Sequence, residues 1–107
     1  MLKLRYSATS PFVRKCMATA IEANVISQLE LEISDPYDPA TDLTNDNPIG
    51  KIPALVLSNG CVLFDSRVIC EYLDALGKTS HLFPPSGDTR WLALTRMALA
   101  DGLLDAI

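Results

Sequence analysis

Three short stretches of this 107-residue chain carry side chains that can do chemistry. The first sets three hydroxyls, Ser7, Thr9 and Ser10, before Pro11-Phe12-Val13. The second, Asn47-Pro48-Ile49-Gly50-Lys51-Ile52-Pro53-Ala54-Leu55, puts a cation and a proline directly ahead of an apolar run. The third, Phe64-Asp65-Ser66-Arg67, sets a carboxylate beside a hydroxyl. Hydroxyls and carboxylates at helix starts bind charged ligands, because free N–H groups and the helix dipole act beside them.

Each stretch also has a plain structural role. Serine before proline is the pattern of a helix start: the hydroxyl accepts an orphan N–H, and proline needs no donor at the first position. That capping role suffices for Ser10. Ser7 and Thr9 are rival hydroxyls in the same loop, and Tyr6 is a weaker rival that fits strand periodicity. Asp65 or Ser66 caps a second helix. A carboxylate, a hydroxyl and free N–H groups together also suit an α-amino-acid group, which carries an amine and a carboxylate. Read alone, Lys51 is a solvated loop lysine. Pro53 alone is a trans strand opener, since only about 5–6% of X–Pro bonds are cis in folded proteins.

The elements that position these groups follow from periodicity. Residues 2–6 read as a strand. Residues 11–23 read as a helix with Phe12, Val13, Cys16, Met17, Ala20 and Ile21 on one face, and Asn24 is a left-handed stop. Residues 26–33 alternate as a half-buried strand, with Leu29, Leu31 and Ile33 inward. Residues 34–50 are loop-like, with a single helical turn near Leu43 to Asn47 that carries little packing. Residues 54–57 and 61–64 are short apolar runs joined by Ser58-Asn59-Gly60, a hairpin signal. Residues 66–76 form a helix with Val68, Ile69, Tyr72, Leu73 and Leu76 inward, ended by Gly77. Residues 78–87 read as a linker. A last helix spans 88–107, capped by Asp88 or Thr89 and apolar from Trp91 to Ile107 over most of its circumference, so it expects cover on several sides.

Composition narrows the function. Net charge is −4 and the sequence pI is near 4.7. No basic cluster is available to track phosphates, which argues against nucleic acid. No apolar run reaches the roughly 18 residues of a membrane span. Met1-Leu2-Lys3-Leu4-Arg5 is too charged for a signal-peptide core, so a cytoplasmic protein is expected. Cys16, Cys61 and Cys70 fit neither a CxxC motif nor a zinc site, and no metal is expected. Cys16 and Cys70 fall on apolar helix faces and read as inert buried thiols. His81, in a loop, offers no Cys–His or Ser–His pair.

The three motifs, in this order and in these elements, resemble the glutathione transferases, especially the serine-type plant and bacterial groups. Thioredoxin and glutaredoxin folds carry Cys-x-x-Cys, often with proline second, where this chain has Ser10-Pro11-Phe12-Val13. Omega-type relatives place a cysteine where Ser10 stands. The resemblance covers residues 1–77 closely and 88–107 more loosely, through Ala98-Leu99-Ala100-Asp101-Gly102.

That resemblance implies an α/β, thioredoxin-like βαβ-ββα mixed four-stranded sheet, followed by the first helix of an all-α C-terminal domain. The implied boundaries are 1–77 for the glutathione-binding domain, 78–87 for the linker and 88–107 for the truncated helical domain. It implies glutathione and a small electrophile as partners, and a homodimer. Asn-Pro-x-x-Lys-x-Pro-x-Leu resembles the family stretch that ends in a cis-proline. There Ile52 would offer its N–H and C=O to an extended peptide, and Lys51 would meet the glycyl carboxylate. Asp65 and Ser66 would bind the γ-glutamyl end, and Ser10 would stabilise the thiolate.

The energy required of Ser10 is modest. Lowering a thiol pKa by two units takes about 2.7 kcal/mol. One charge-assisted hydrogen bond supplies roughly 1.5–3 kcal/mol and a helix end roughly 0.3–1. The electrophile pocket belongs largely to the second domain in this family, so these residues by themselves are expected to turn over little. Two alternatives stand beside the enzyme: a non-catalytic interaction module on the same fold, and, less favoured, a thiol–disulfide oxidoreductase.

Overall fold

The computed structural model describes residues 1–78 and 82–106; His81 and Ile107, both named above, lie outside the described residues. Leu2, Leu4 and Tyr6 alternate with Lys3 and Arg5 and form the strand β1 (Leu2–Tyr6). The helix α1 (Pro11–Glu22) follows, with Ser10 as its cap, and Asn24 takes φ 59° just beyond it. The chain then makes a 3₁₀ turn (Ile26–Gln28) and enters β2 (Leu29–Ile33). So the strand expected over 26–33 loses its first three residues to that turn, which starts at Ile26 with only Val25 between it and the left-handed Asn24.

Beyond β2 come the single-turn helix α2 (Leu43–Asp46), the strands β3 (Ala54–Val56) and β4 (Val62–Leu63), and the helix α3 (Ser66–Leu76). The last helix, α4, spans Gly87–Asp105. The sheet order is β2-β1-β3-β4, with β1 parallel to β2 and antiparallel to β3, and β3 antiparallel to β4. This is the thioredoxin-like plan, with one helix after it. The β3–β4 turn closes through the Gly60 N–H donating to the Leu57 carbonyl at 3.0 Å, with Gly60 at φ 89°.

One face of the sheet carries the core. Leu2, Leu4, Leu29 and Leu55 meet Cys16 and Ala20 of α1 and Ile69, Cys70 and Leu73 of α3. Small residues let the two helices come close. At their ends a Cβ on Gly77 would stand 2.9 Å from the Ala23 carbonyl oxygen, so glycine is required there. On the other face Leu43 is fully buried, so α2 carries more packing than expected from its sequence.

Several expected core positions are open instead. Leu31 and Ile33 share a face with Leu29 but are exposed, because β2 is an edge strand. Ile21 and Val68 are exposed on the outer sides of α1 and α3. In α4, Trp91, Leu92, Leu99 and Leu103 are exposed. That helix begins at Gly87, after Ser86, with no side-chain cap bond, rather than at Asp88 or Thr89. Among the described residues no helix is long and apolar enough to cross a membrane.

Candidate functional site

The first site element is the start of α1. The Ser10 hydroxyl accepts a hydrogen bond from the Val13 N–H at 3.3 Å, which leaves its own proton free to be donated. Ser7 and Thr9 are engaged with each other: their oxygens are 3.0 Å apart, and the Thr9 N–H donates to Ser7 Oγ at 3.2 Å. Of the three hydroxyls, Ser10 alone sits at the helix end, where the dipole acts.

The second element is the segment between α2 and β3. Asn47 is buried and organises it. Its Nδ2 donates to the Lys51 carbonyl at 2.9 Å, and its Oδ1 accepts from the Ile49 N–H at 3.0 Å. The Ile52–Pro53 bond is cis, as is Phe64–Asp65. The Lys51 side chain is exposed and makes no ion pair among the described residues.

The third element is the start of α3. Asp65, not Ser66, is the cap, accepting from the Arg67 N–H at 3.0 Å. Arg67 also grips the Asp65 carboxylate with Nε at 3.2 Å and Nη2 at 2.9 Å. That hydrogen-bonded pairing holds the Asp65 carboxyl below its ordinary value, so it is an anion at neutral pH. Ser66 is buried behind it.

These elements border three cavities: one of about 410 Å³, lined by Lys51, Asp65 and Arg67, and two that also take in Ile52. Of those two, one, of about 490 Å³, is lined by Lys51, Ile52, Pro53, Asp65, Ser66 and Arg67, with Phe12 of α1 and Asp101 of α4 also lining it. The other, of about 790 Å³, is lined by Ser10, Lys51 and Ile52 together with Ile33, Tyr37 and Ile49. Ser10 therefore does not line the cavity that holds Asp65 and Ser66. The two are joined along Lys51–Ile52, which borders both. An extended peptide along that segment would have one end at the α3 start and its middle near the α1 start.

Four residues of this region were given no site role of their own from the sequence, although Asn47, Arg67 and Asp101 lie inside the motif stretches. Arg67 pairs with Asp65 as described. Asn47 shapes the backbone. Lys15 and Asp101 pair across α1 and α4 at 2.8 and 2.9 Å, with Asp101 buried at the cavity edge. Of these, Arg67 was the most accessible to sequence reasoning, since it follows the Asp-Ser pair directly.

The thiols stand apart from this chemistry. Cys16 and Cys70 are buried, with sulfurs 4.0 Å apart between α1 and α3, and Cys61 is exposed on the hairpin. Contact with Cys70 first, and burial second, push the Cys16 thiol well above its ordinary value. No pair of cysteines stands at the α1 start, where a thioredoxin-type redox centre would be.

Comparison with known proteins agrees with the geometry. The model of the glutathione S-transferase N-terminal domain matches residues 9–76. The uncharacterized GST-like protein YibF of Escherichia coli K12 is 34% identical over 105 residues, covering 98% of this chain and 51% of that protein. A crystal structure of a glutathione transferase family member from Pseudomonas fluorescens Pf-5, with bound glutathione, is 46% identical with a TM-score of 0.92. The match covers 99% of this chain and 53% of that one. A stringent starvation protein A homolog of Pasteurella multocida is 49% identical over 45 residues, 42% of this chain and 21% of that protein. The chain thus spans about half the length of YibF and of the Pseudomonas structure.

Proposed function

The chain belongs to the glutathione S-transferase family, and from that premise we propose that it binds glutathione and prepares its thiol for attack on an electrophile. The observation that carries the reading is the shared border of the two cavities, with Ser10 on one side of Lys51–Ile52 and Asp65–Ser66 on the other. Glutathione is an extended tripeptide with an α-amino-acid group at one end, a thiol in the middle and a carboxylate at the other end. In the site, Asp65 takes the γ-glutamyl amine, and Ser66 with the α3 start takes its carboxylate. Ile52 pairs with the cysteinyl backbone beside Pro53, and Lys51 takes the glycyl carboxylate. The relative from Pseudomonas fluorescens, 46% identical, has glutathione bound, which supports this ligand.

The Ser10 hydroxyl, with its proton free, donates to the sulfur and favours the thiolate over the thiol. The thiol proton leaves to solvent. The sulfur lone pair then forms a bond to the electrophilic atom, and the leaving group departs with its own electron pair. The larger cavity, open beside Ser10 and walled by Ile33, Tyr37 and Ile49, gives an electrophile access to the sulfur, and the second domain of the full-length protein completes its pocket.

We ascribe turnover to the full-length protein, because this chain spans about half of YibF and of the Pseudomonas structure. In that protein α4, which starts at Gly87, opens a helical domain after the linker expected over 78–87, whose residues 79–81 lie outside the described residues; the exposed apolar face of α4 is covered, and the assembly is a cytoplasmic homodimer. Calorimetry with reduced glutathione, and turnover of a chlorinated aromatic substrate by wild type and Ser10→Ala, test the reading. Unchanged turnover in Ser10→Ala removes Ser10 from the reaction.

A second reading is an interaction module without catalysis. The 45-residue match to the stringent starvation protein A homolog, a relative whose name is not that of a transferase, is compatible with it. Absence of glutathione binding at millimolar concentration would select it.

A further inference from the structure

Arg5 is the one cation of β1 that the fold buries: its side chain is 4% exposed, against 38% for its neighbour Lys3. It lies on the sheet face opposite the main core, under the loop that leads to Lys51. Its guanidinium reaches three parts of that loop. Nε donates to Ser34 Oγ at 3.1 Å, at the end of β2. Nη1 donates to the Asp42 carbonyl at 3.2 Å and to Asp46 Oδ2 at 3.0 Å. Nη2 donates to the Asp42 carboxylate. Asp42 precedes α2 and Asp46 ends it, so one planar fork holds both ends of a single helical turn. The fork geometry suits arginine and not lysine.

The residue after Asp46 is Asn47, and its N–H closes α2 on the Leu43 carbonyl at 2.8 Å. The Asn47 side chain then holds the Lys51 carbonyl at 2.9 Å. That carbonyl belongs to the same planar trans peptide as the Ile52 N–H, and the two point in opposite directions. Fixing one therefore aims the other. Residues 35–50 have little packing of their own, with Leu43 and Asn47 the buried ones among them. So the direction of the Ile52 N–H depends on α2, and α2 is held by its buried Leu43 and by the guanidinium that grips both its ends.

We propose that Arg5 is a positioning residue for the peptide-binding edge. By clamping α2 it sets, through Asn47, where Lys51 and the Ile52 N–H meet the ligand. This rests on the glutathione reading and adds to it that the glycyl half of the groove is built from β1, out of contact with any ligand.

The test compares wild type, Arg5→Met and the milder Asp46→Asn in the full-length protein. Titration calorimetry uses two probes, reduced glutathione and γ-glutamylcysteine ethyl ester, which lacks the glycyl carboxylate. Arg5→Met is expected to lose at least about tenfold in glutathione affinity, because both the Lys51 and the Ile52 contacts shift, and less for the ester, which keeps the cysteinyl contact to Ile52 but has no glycyl carboxylate for Lys51. Asp46→Asn should shift the ratio in the same direction by a smaller factor. Amide exchange over residues 43–52 should rise in both variants while β3 and α3 stay protected.

A general loss of stability would lower both affinities together and would not change their ratio. An unchanged ratio with unchanged exchange over 43–52 overturns the proposal, even if both variants bind more weakly. If Arg5→Met does not fold, the Asp46→Asn ratio and exchange decide. Failure of wild type to bind either probe sinks the glutathione reading itself, while exchange over 43–52 still reports whether Arg5 holds α2.

Discussion

Lys15 of α1 donates to both carboxylate oxygens of Asp101 on α4, at 2.8 and 2.9 Å, across 86 residues of sequence. The pair is mostly shielded, with side chains 22% and 11% exposed. It fastens the last helix to the helix that Ser10 caps, at the edge of the cavity of about 490 Å³.

Removing one partner of such a part-buried pair leaves a charge without its hydrogen bonds and costs about 1–3 kcal/mol. Lys15→Met should therefore release α4, seen as a loss of that order in urea unfolding and as faster amide exchange in α4. Adding Asp101→Asn to Lys15→Met should recover part of the loss, because no lone charge then remains. If the double variant is as unstable as the sum of the singles, the pair is not the cause.

Ser10→Ala should show two separable effects. The cap bond to Val13 is lost, at about 1 kcal/mol of stability. Under the proposed function, the hydrogen bond to the thiolate is lost as well, worth roughly 1.5–3 kcal/mol, or about ten- to 150-fold in turnover. Ser10→Gly should keep most of the stability, since glycine caps nearly as well, yet lose the same turnover. Stability and turnover falling together in the glycine variant would argue that capping is the whole role.

Asp65 offers a pH test. Its pairing with Arg67 lowers the folded-state pKa. A group lowered in this way contributes above its unfolded value, near 3.9, and the contribution is lost as pH falls through the folded value. Glutathione affinity should thus be insensitive to this carboxylate from pH 5 to 7 and fall only in stronger acid. Arg67→Met should move that fall to higher pH. Asp65→Asn should keep the helix cap, as asparagine caps equally well, but lose affinity at neutral pH. Equal affinity for Asp65→Asn and wild type would exclude the carboxylate from ligand binding.

The thiols should divide by burial. A disulfide reagent added to the native protein should label Cys61 and leave Cys16 and Cys70 untouched, and all three should react in denaturant. Rapid native labelling of Cys16 or Cys70, or a glutathione mixed disulfide on either, would revive the oxidoreductase alternative.

What was legible in the residues was local. Ser10-Pro11, Asn24, Asn59-Gly60 and Gly77 marked the starts, stops and turn within a residue or two, because caps and left-handed residues act over a few bonds. The three motifs lay in separate elements, and the order of those elements gave the sheet. Burial was less legible. Leu29, Leu31 and Ile33 share a strand face, but only Leu29 is buried. Alternation says which residues face together, and only the neighbours say whether that face is covered.

The sequence by itself determined the element order, the starts of α1 and α3 to within a residue, and the residue types at the three motifs, since each depends on covalent neighbours. The tertiary structure decided that Arg5 is buried beneath α2, that Asp101 meets Lys15, and that Lys51–Ile52 borders both the Ser10 and the Ser66 cavities. Those facts join residues from 14 positions apart, Lys51 to Asp65, up to 86, Lys15 to Asp101, and no local pattern encodes a contact that chain folding alone brings about.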